Sequence, residues 1–236
     1  MKFKKQAERY LSARKALSAK YGPRELWSVV DQYPLYAGVG TLARNVVITE
    51  LLRSTLSVPG HIAEFGCWRG STTMLLLKLL RIWDPQGPKV LHAFDSFEGL
   101  TEFAPQDGDA TDFAGKYKGS LEELRDLIEL YEFEDDITIH QGIIEETLPK
   151  AVEADASLSF SFVYCDTDLY ESTKLIVDLL HPRLMPGGVF VFDEWNYENY
   201  PGEGVAANEF LGEHASEYTV EGVQGAKQPS LVLRKR

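Results

Sequence analysis

Four acidic residues follow two apolar segments that read as buried strands. Asp166 and Asp168 follow the segment FSFVYC, and Asp193 and Glu194 follow GVFVF. If the two strands are neighbours in a parallel sheet, their carboxyl ends meet at one edge, and four carboxylates there repel one another without a cation or protons. Oxygen ligands without histidine or cysteine suit a hard ion such as Mg²⁺. The spacing favours a divalent-metal site; the alternative is a set of solvated loop acids, with Asp168 capping a helix over 170–182.

A second candidate site lies in the stretch HIAEFGCWRGSTTMLLL, residues 61–77. It reads as a strand, a glycine turn and a helix that opens with Ser71 and Thr72. Gly66 and Gly70 allow a ligand to approach the backbone without a Cβ in the way. A dinucleotide fingerprint has three glycines, whereas this stretch has two, with Glu64 before the first. The turn therefore predicts either a nucleotide-like ligand or only a tight connection.

Two further strand ends carry residues of the same kind. Asp95 ends the segment KVLHAFDSF and is followed by Ser96. An acid at that position can accept hydrogen bonds from both hydroxyls of a ribose. Gly142 ends the segment ITIHQG. Candidate residues therefore stand at the ends of five predicted strands, which are expected to meet at one edge of a sheet.

The elements that must position these residues alternate along the chain. Strands are predicted over 61–66, 89–97, 137–142, 160–166 and 188–195, and helices over 71–83, about 120–131, 145–152 and 170–182. This alternation is typical of βαβ units and a parallel sheet. The final segments, EYTVEGV and PSLVLRK, are close together and should pair antiparallel. The predicted fold is α/β, a doubly wound, seven-stranded, mostly parallel sheet.

Length and composition indicate a single domain. The 236 residues are 44% apolar and 25% charged, which is ordinary for a globular chain. Residues 58–236 are expected to form the core. Residues 1–57, with predicted helices over 3–20 and about 41–56, are expected to form a helical extension that is either a lid or a contact in a homodimer or higher homo-oligomer.

Charge and hydropathy limit the expected partners. The net charge of −12 argues against a nucleic-acid partner, because phosphate binding needs clustered Lys and Arg. No apolar run approaches the ~20 residues that span a bilayer, so no membrane contact is expected. The N-terminal sequence lacks the apolar middle of a secretory signal, which favours a cytoplasmic location. Cys67 and Cys165 are expected to be reduced and buried.

The run GHIAEFGCWRGSTT, HAFDSFEGL, QGIIEETLP, CDTDLYEST and PGGVFVFDEW resembles the macrocin O-methyltransferase family, over roughly residues 35–212. The motifs DSFEGL and DTDLYEST are the distinctive ones. The resemblance implies the class I methyltransferase fold. It also implies an enzyme that depends on S-adenosylmethionine and a divalent cation, and that methylates hydroxyls of sugars in natural products. The implied substrate is a small hydroxylated molecule, a sugar or another vicinal diol.

The same resemblance implies roles for individual residues. Glu64 serves the methionine end of the cofactor, Asp95 holds the ribose, and Gly142 lies near the adenine. The segment YAGVGTLARN closes over the cofactor, with Val39 and Thr41 as candidate contacts. The remaining cofactor candidates are the strand-end residues Gly66, Gly70, Ser71, Thr72, Ser96 and Asp166.

The implied metal ligands are Asp166, Asp193 and Glu194, where the family usually has two aspartates as the last pair. The glutamate is one methylene longer, which leaves its contact with the metal in question. Some members carry a histidine after DSFEGL that is thought to assist catalysis, but the loop TEFAPQDGDATDFAGKYKGS has none. Asp168, two residues beyond the first ligand, is the candidate general base, with Asp166 as the second catalytic candidate, and the acid–base assignment stays open. His140 is interpreted as a packing or adenine-side residue.

Several alternatives stay open at this point. Trp195, Tyr197 and Tyr200 follow the last acids and either stack on a sugar or planar ring or pack the base of a loop. The chain could be a cephalosporin-hydroxylase-like subgroup member that acts on a different hydroxylated substrate. It could also be a non-catalytic module that binds S-adenosylmethionine, or an NAD-dependent oxidoreductase, which the missing third glycine disfavours.

Overall fold

The computed structural model of the chain describes residues 9, 16, 19–22 and 25–236. Most of the helix predicted over 3–20 lies outside these residues. The α-helices of the segment 25–236 are α1 Leu26–Asp31, α2 Tyr33–Tyr36, α3 Val39–Ser54, α4 Ser71–Trp83, α5 Leu121–Leu130, α6 Ile144–Ala154, α7 Tyr170–Leu180 and α8 Pro201–His214. Short 3-10 segments cover Pro105–Phe113, His181–Arg183 and Ala215–Glu217. None of these helices is both long enough and apolar enough to cross a bilayer.

Seven strands form one sheet in the order β3-β2-β1-β4-β5-β7-β6. Their bounds are β1 His61–Phe65, β2 Leu91–Asp95, β3 Ile137–Gln141, β4 Phe160–Cys165, β5 Leu184–Phe192, β6 Tyr218–Glu221 and β7 Leu231–Lys235. Strands β1 to β5 run parallel to one another, and β7 pairs antiparallel with both β5 and β6. The predicted sheet and its antiparallel end are confirmed.

The sheet reverses its strand order between β1 and β4. From β1 the chain moves outward through β2 to β3, then returns to place β4 on the other side of β1. Every residue of β4 is buried, as expected for a central strand covered on both faces. The carboxyl ends of β1 and β4 form the point at which sheets of this type bind ligands.

Helices cover both faces of the sheet. On one face Ile62, Phe162 and Val191 pack against apolar residues of α3, α4 and α5. On the other face Phe65 and Phe190 pack against residues of α6, α7 and α8. Alternate residues of each strand thus enter opposite cores, which is why the strands read as nearly continuous apolar runs.

The predicted elements of the core agree with the structure within a few residues. The helix over 71–83 has the predicted bounds, and the Ser120 hydroxyl accepts the Glu123 N–H at 3.1 Å, as the capping box requires. β5 is the largest boundary difference, because it begins at Leu184 and not at 188.

Helix α8 was not predicted. It contains Gly202 and Gly204, which lower the helix propensity of the segment. The structure shows why glycine stands there. A Cβ at Gly202 would lie 1.9 Å from Asp107 Oδ1, and one at Gly204 would lie 2.2 Å from the Trp195 carbonyl oxygen. Tertiary packing therefore overrides local propensity in this helix.

Candidate active site

A cavity of about 420 Å³ lies beyond the carboxyl ends of the parallel strands. Most of the residues singled out from the sequence line it, namely Gly66, Ser71, Thr72, Asp95, Ser96, Gly142, Asp166, Asp168, Asp193 and Glu194. Four others do not: Glu64 and Gly70 are buried beside it, and Val39 and Thr41 are exposed on α3. The structure therefore brings the strand-end candidates together at one site.

The glycine turn after β1 forms one wall of the cavity. Gly66 has a φ of 85°, and a Cβ at this position would lie 1.9 Å from the carbonyl oxygen of Asp166. Only glycine permits this close approach of the β1 and β4 ends. The turn is thus required by the packing of two strand ends as well as by any ligand.

Asp95 is fixed on the opposite side of that turn. Its Oδ2 accepts the Trp68 N–H at 2.7 Å, and its Oδ1 accepts the Phe97 N–H at 2.6 Å. Each oxygen keeps a second lone pair, and the side chain faces the cavity. The carboxylate is held in place to accept hydrogen bonds from a ligand.

Glu64 lies in the middle of the sheet and is only 1% exposed. Burial raises the pKa of Glu64 to about 7. Its Oε2 has no hydrogen-bond partner among the described residues. Such an oxygen is costly, because a buried acceptor without a donor loses its solvation. The position suits a donor group supplied from outside the chain.

Three carboxylates converge at the ends of β4 and β5. Asp166, Asp168 and Glu194 each offer an oxygen within 4.8 Å of the others. Asp168 does not cap α7, because the residue that caps this helix is Leu169, with no side-chain bond to the helix. Asp168 has a φ of 64°, an uncommon backbone conformation for a residue other than glycine. The loop directs Asp168 toward the cavity and not toward the helix.

The crowding of acids alters their titration. Burial, with the charge of Asp193 as the next cause, raises the pKa of Asp168 to about 7 and that of Glu194 to about 8. The same two causes raise the pKa of Asp166 well above its usual range. Glu194 Oε1 accepts a hydrogen bond from Gln228, whereas its Oε2 is buried and has no described partner. The positive charge near these three carboxylates is therefore too small to keep all of them ionised at neutral pH.

Asp193 is not one of the three converging carboxylates, although its charge acts on all of them. Its Oδ1 accepts hydrogen bonds from the Tyr164 hydroxyl and from Arg44 Nε, the latter at 3.3 Å. Arg44 also donates from Nη2 to Asp166 at 2.9 Å and from Nη1 to Thr72 at 2.9 Å. Of the expected metal ligands, Asp166 and Glu194 converge with Asp168, and Asp193 faces the guanidinium of Arg44.

Sequence reasoning missed Arg44, although a signal was available. Arg44 is the basic residue of YAGVGTLARN, the segment expected to close over the cofactor. A cation in a segment that covers an acidic site is a reasonable candidate for contact with it. Helix α3 delivers this cation to the cavity.

Glu203 was also missed, and no spacing indicates it. This residue of α8 is fully buried. Its Oε1 accepts the Glu194 N–H at 2.7 Å, and its Oε2 accepts the Thr167 N–H at 3.3 Å. One carboxyl group therefore connects the two loops that carry the acids.

Aromatic side chains form the rim of the cavity. Trp68 and Tyr117 are 47% and 40% exposed and meet edge to face, with ring centroids 5.6 Å apart. The hydroxyls of Tyr117 and Tyr200 are 2.7 Å apart, and Tyr197 stacks on Tyr200. Trp195 packs instead against the core and donates from Nε1 to Asn208 at 3.0 Å. Of the aromatics noted after the last acids, Tyr200 faces the cavity and Trp195 is structural.

His140 lies away from the cavity lining. Its ring stacks on Phe94 with centroids 4.1 Å apart, and its Nε2 lies 3.1 Å from His92 Nδ1. These contacts support the interpretation of His140 as a packing residue. Cys67 and Cys165 are free and buried, as expected.

Known proteins resemble the chain in fold and in sequence. The crystal structure of CalS11, a calicheamicin methyltransferase, has a TM-score of 0.81 with 23% identity and covers 98% of this chain and 91% of its own. The O-methyltransferase NovP has a TM-score of 0.69 with 22% identity, over 82% of this chain and 80% of its own. These likenesses identify the class I methyltransferase fold.

Two curated relatives come from Streptomyces. The 8-demethyl-8-(2,3-dimethoxy-alpha-L-rhamnosyl)-tetracenomycin-C 4'-O-methyltransferase of Streptomyces olivaceus is 34% identical over 146 residues, 58% of this chain and 54% of the relative. The demethyldecarbamoylnovobiocin O-methyltransferase of Streptomyces niveus is 32% identical over 152 residues, 59% of this chain and 54% of the relative. The matched region thus spans about half the length of these relatives.

A family model agrees with the fold and with the sequence motifs. The model of the macrocin-O-methyltransferase (TylF) family matches residues 43–224, most of the chain. This range contains the glycine turn, all the acids of the cluster and Glu203. The chain belongs to the macrocin-O-methyltransferase (TylF) family.

Proposed function

We propose that this protein is an S-adenosylmethionine-dependent O-methyltransferase that uses a divalent cation and acts on a hydroxyl of a sugar or a glycosylated natural product. The observation that carries the proposal is the group of three converging carboxylates beside the glycine turn, in one cavity. A methyltransferase that activates a hydroxyl needs both a cofactor cradle and a way to remove a proton. The two features share the cavity.

The residues fit a hard divalent cation such as Mg²⁺. The converging donors are carboxylate oxygens of Asp166, Asp168 and Glu194. Oxygen donors without nitrogen or sulfur suit Mg²⁺ or Mn²⁺. The buried Oε2 of Glu194 has no described partner, and a cation would satisfy it. We propose Asp166 and Glu194 as ligands, with Asp193 as the third ligand or as the carboxylate that orients Arg44.

The residues also fit the cofactor. The unpartnered Oε2 of Glu64 suits the ammonium group of a methionine moiety, and the fixed carboxylate of Asp95 suits a ribose diol. Gly142 and Ser96 line the part of the cavity beyond Asp95. Helix α3 supplies Arg44 from the segment expected to cover the cofactor, which supports a lid role for that segment.

When bound, S-adenosylmethionine supplies an electrophilic methyl group and the cation makes a neighbouring hydroxyl more acidic. The protein must then hold that hydroxyl in line with the methyl group and accept its proton. Asp168 is suited to accept it, because burial raises its pKa to about 7, near the pH at which a general base is most effective. Arg44 pairs with both Asp166 and Asp193, which offsets part of the negative charge beside Asp168.

The aromatic rim supports a ring-shaped acceptor. Trp68, Tyr117 and Tyr200 line the cavity, and aromatic faces pack well against the apolar faces of sugars and planar rings. The relatives named above methylate, by their names, a rhamnosyl-tetracenomycin and demethyldecarbamoylnovobiocin. We propose that the rim binds the glycosidic part of the acceptor.

Calorimetric titration of the chelated protein with S-adenosylmethionine, with and without Mg²⁺, tests the proposal. We expect cofactor binding in both cases and a separate heat for Mg²⁺ that is absent in Asp166→Asn. With glycosides bearing vicinal diols as acceptors, Asp166→Asn should reduce S-adenosylhomocysteine formation by about 100-fold or more, because the cation that makes the hydroxyl more acidic is lost.

Asp136→Asn is the matched control, since Asp136 also pairs with an arginine, Arg81, at 2.7 Å and does not line the cavity. It should retain full activity. Cofactor binding without any Mg²⁺ heat would leave a metal-independent methyltransferase or a binding module. Binding of NAD in place of S-adenosylmethionine would refute the proposed function.

A further inference from the structure

A second group of potential metal ligands lies far from the cavity. His181, His214 and Glu217 each offer one ligand atom, and these atoms all lie within 4.8 Å of one another. His181 begins the short 3-10 segment that precedes β5, whereas Asp193 and Glu194 follow the other end of that strand. At about 3.3 Å per residue, β5 separates the two groups by roughly 25 Å. The histidine group is therefore independent of the proposed active site.

The distances within this group suit a small transition-metal ion. His214 Nδ1 lies 2.9 Å from Glu217 Oε1, and His181 Nε2 lies 3.5 Å from Glu217 Oε2. Ligands about 2.0–2.1 Å from a tetrahedral Zn²⁺ ion are roughly 3.3 Å apart. The ligand atoms therefore need only small side-chain movements to surround an ion.

The surroundings orient the first of these ligands. The hydroxyl of Tyr218, a residue only 1% exposed, lies 2.8 Å from His181 Nδ1. A hydrogen bond at Nδ1 fixes the ring and leaves Nε2 to face Glu217, which is the arrangement that commonly supports a metal-bound histidine. The main chain is fixed as well, because Lys235 Nζ donates to the His181 carbonyl oxygen at 2.7 Å.

A positive charge lies beside the proposed ligands. Lys235 Nζ contacts the main chain of His181, one of the three. The positive charge of Lys235 opposes a second cation, so we expect micromolar rather than nanomolar affinity.

We propose that His181, His214 and Glu217 form a binding site for a transition-metal ion such as Zn²⁺. Two imidazoles and one carboxylate are a donor set that Zn²⁺ uses in proteins, whereas Mg²⁺ prefers oxygen alone. The three ligands come from the end of α7, the end of α8 and the segment before β6. An ion there links α8, which carries Glu203 at its other end, to the amino edge of the sheet.

The test is a calorimetric titration of the full chain with Zn²⁺, after chelation and in the presence of excess Mg²⁺ to occupy the oxygen site. We expect one Zn²⁺ per chain at this group. His214→Gln should weaken its binding by about 10-fold or more, since loss of even an outer-shell partner has effects of that size. Glu217→Gln should weaken binding in the same direction.

A spectroscopic and a thermal measurement accompany the titration. Co²⁺ in place of Zn²⁺ should give the visible absorption of a four-coordinate nitrogen and oxygen site, and His214→Gln should remove it. Zn²⁺ should raise the Tm of the wild type and not of His214→Gln. His214 ends a helix and is partly exposed, so this variant should fold, as its Tm without Zn²⁺ will report.

His140→Gln is the matched control, because His140 also contacts a second histidine but lies outside the group. It should bind Zn²⁺ as the wild type does. The proposal is overturned if His214→Gln and Glu217→Gln retain the full stoichiometry and affinity, or if His140→Gln weakens binding equally.

Discussion

Two groups of partly or fully buried titratable side chains lie on the same sheet and differ in how their polar atoms are satisfied. The acids Asp166, Asp168 and Glu194 follow β4 and β5, and the histidines His92 and His140 lie on β2 and β3. Burial acts on both groups. It raises the pKa of the acids, and it lowers the pKa of both histidines, that of His92 to about 4.

The difference lies in their partners. The two histidines contact each other, and His140 stacks on Phe94, so the group is complete without a ligand. The acids line a cavity, and Glu194 Oε2 has no described partner. A shifted pKa alone therefore does not identify a site in this protein. A buried polar atom without a partner, beside a cavity, is the better indicator.

The largest effect that would test this comparison is at Asp168. We expect Asp168→Asn to lower kcat by about 10²–10⁴-fold, because general-base catalysis contributes that much. Asparagine tolerates the left-handed backbone at this position, so the variant should fold. S-adenosylmethionine affinity, measured by calorimetry, should stay unchanged.

The pH profile adds a second readout for Asp168. In the wild type kcat should rise with pH as Asp168 ionises, with a midpoint at or below its metal-free pKa of about 7, since a bound cation favours the carboxylate. Asp168→Asn should lack this rise. Glu132→Gln is the control, because Glu132 has a φ of 56° and lies outside the cavity lining. An unchanged profile in Asp168→Asn would exclude Asp168 as the base.

A smaller effect is expected at Glu203, which we regard as a positioning residue. Glu203 accepts the backbone N–H groups of Glu194 and Thr167, one from each acid loop. In Glu203→Gln one of these N–H groups faces the amide NH₂ and loses its acceptor. Affinity for Mn²⁺ should fall by about 10- to 100-fold, as for other outer-shell partners. Affinity for S-adenosylmethionine should change much less, which a general loss of structure would not produce.

The exposed Glu213 lies on the same helix, and Glu213→Gln is the matched control. It should bind Mn²⁺ and the cofactor as the wild type does. Equal losses of both affinities in Glu203→Gln would show that Glu203 supports the fold in general and not the acid loops.

The smallest expected effect is on how the free energy of unfolding changes with pH. His92 has a folded pKa of about 4 and an ordinary unfolded value near 6.5, so the unfolded state binds more protons between these values. The contribution of His92 to the free energy of unfolding is present above pH 6.5 and is lost as the pH falls toward 4. At pH 5 the loss is about 2 kcal/mol. Urea unfolding of the chelated protein should show this fall of stability between pH 6.5 and 4, the acid limb of the stability curve. His92→Gln should flatten it.

The acids should have the opposite dependence. The folded pKa of Asp168 is about 7 and its unfolded value near 3.9, so the native state binds more protons. Its contribution is present below the unfolded value and is lost as the pH rises through 7. Asp168→Asn should raise stability at pH 8 relative to the wild type and steepen the loss of stability between pH 6.5 and 4, because the opposing proton uptake by Asp168 in the native state is removed. A flattened acid limb in Asp168→Asn would contradict the assignment of the two limbs.

The agreement between sequence and structure follows the strength of the local signal. β4 is an unbroken apolar run, and α4 has a glycine turn before it, so both were predicted closely. Helix α8 was missed because its glycines are required by contacts with Trp195 and with Asp107, the latter remote in sequence. Local propensity cannot report a contact that forms only after folding.

The sequence by itself determined the alternation of strands and helices, the edge of the sheet that carries the acids, and the glycine turn beside them. These follow from periodicity, residue type and the rule that parallel strands end at one edge. Only the tertiary structure decided which contacts each of the acids makes. Arg44 from α3 engages Asp193 and Asp166, Glu203 from α8 joins the two acid loops, and Asp168 turns into the cavity. These contacts depend on distances between remote segments, which residue spacing along the chain does not contain.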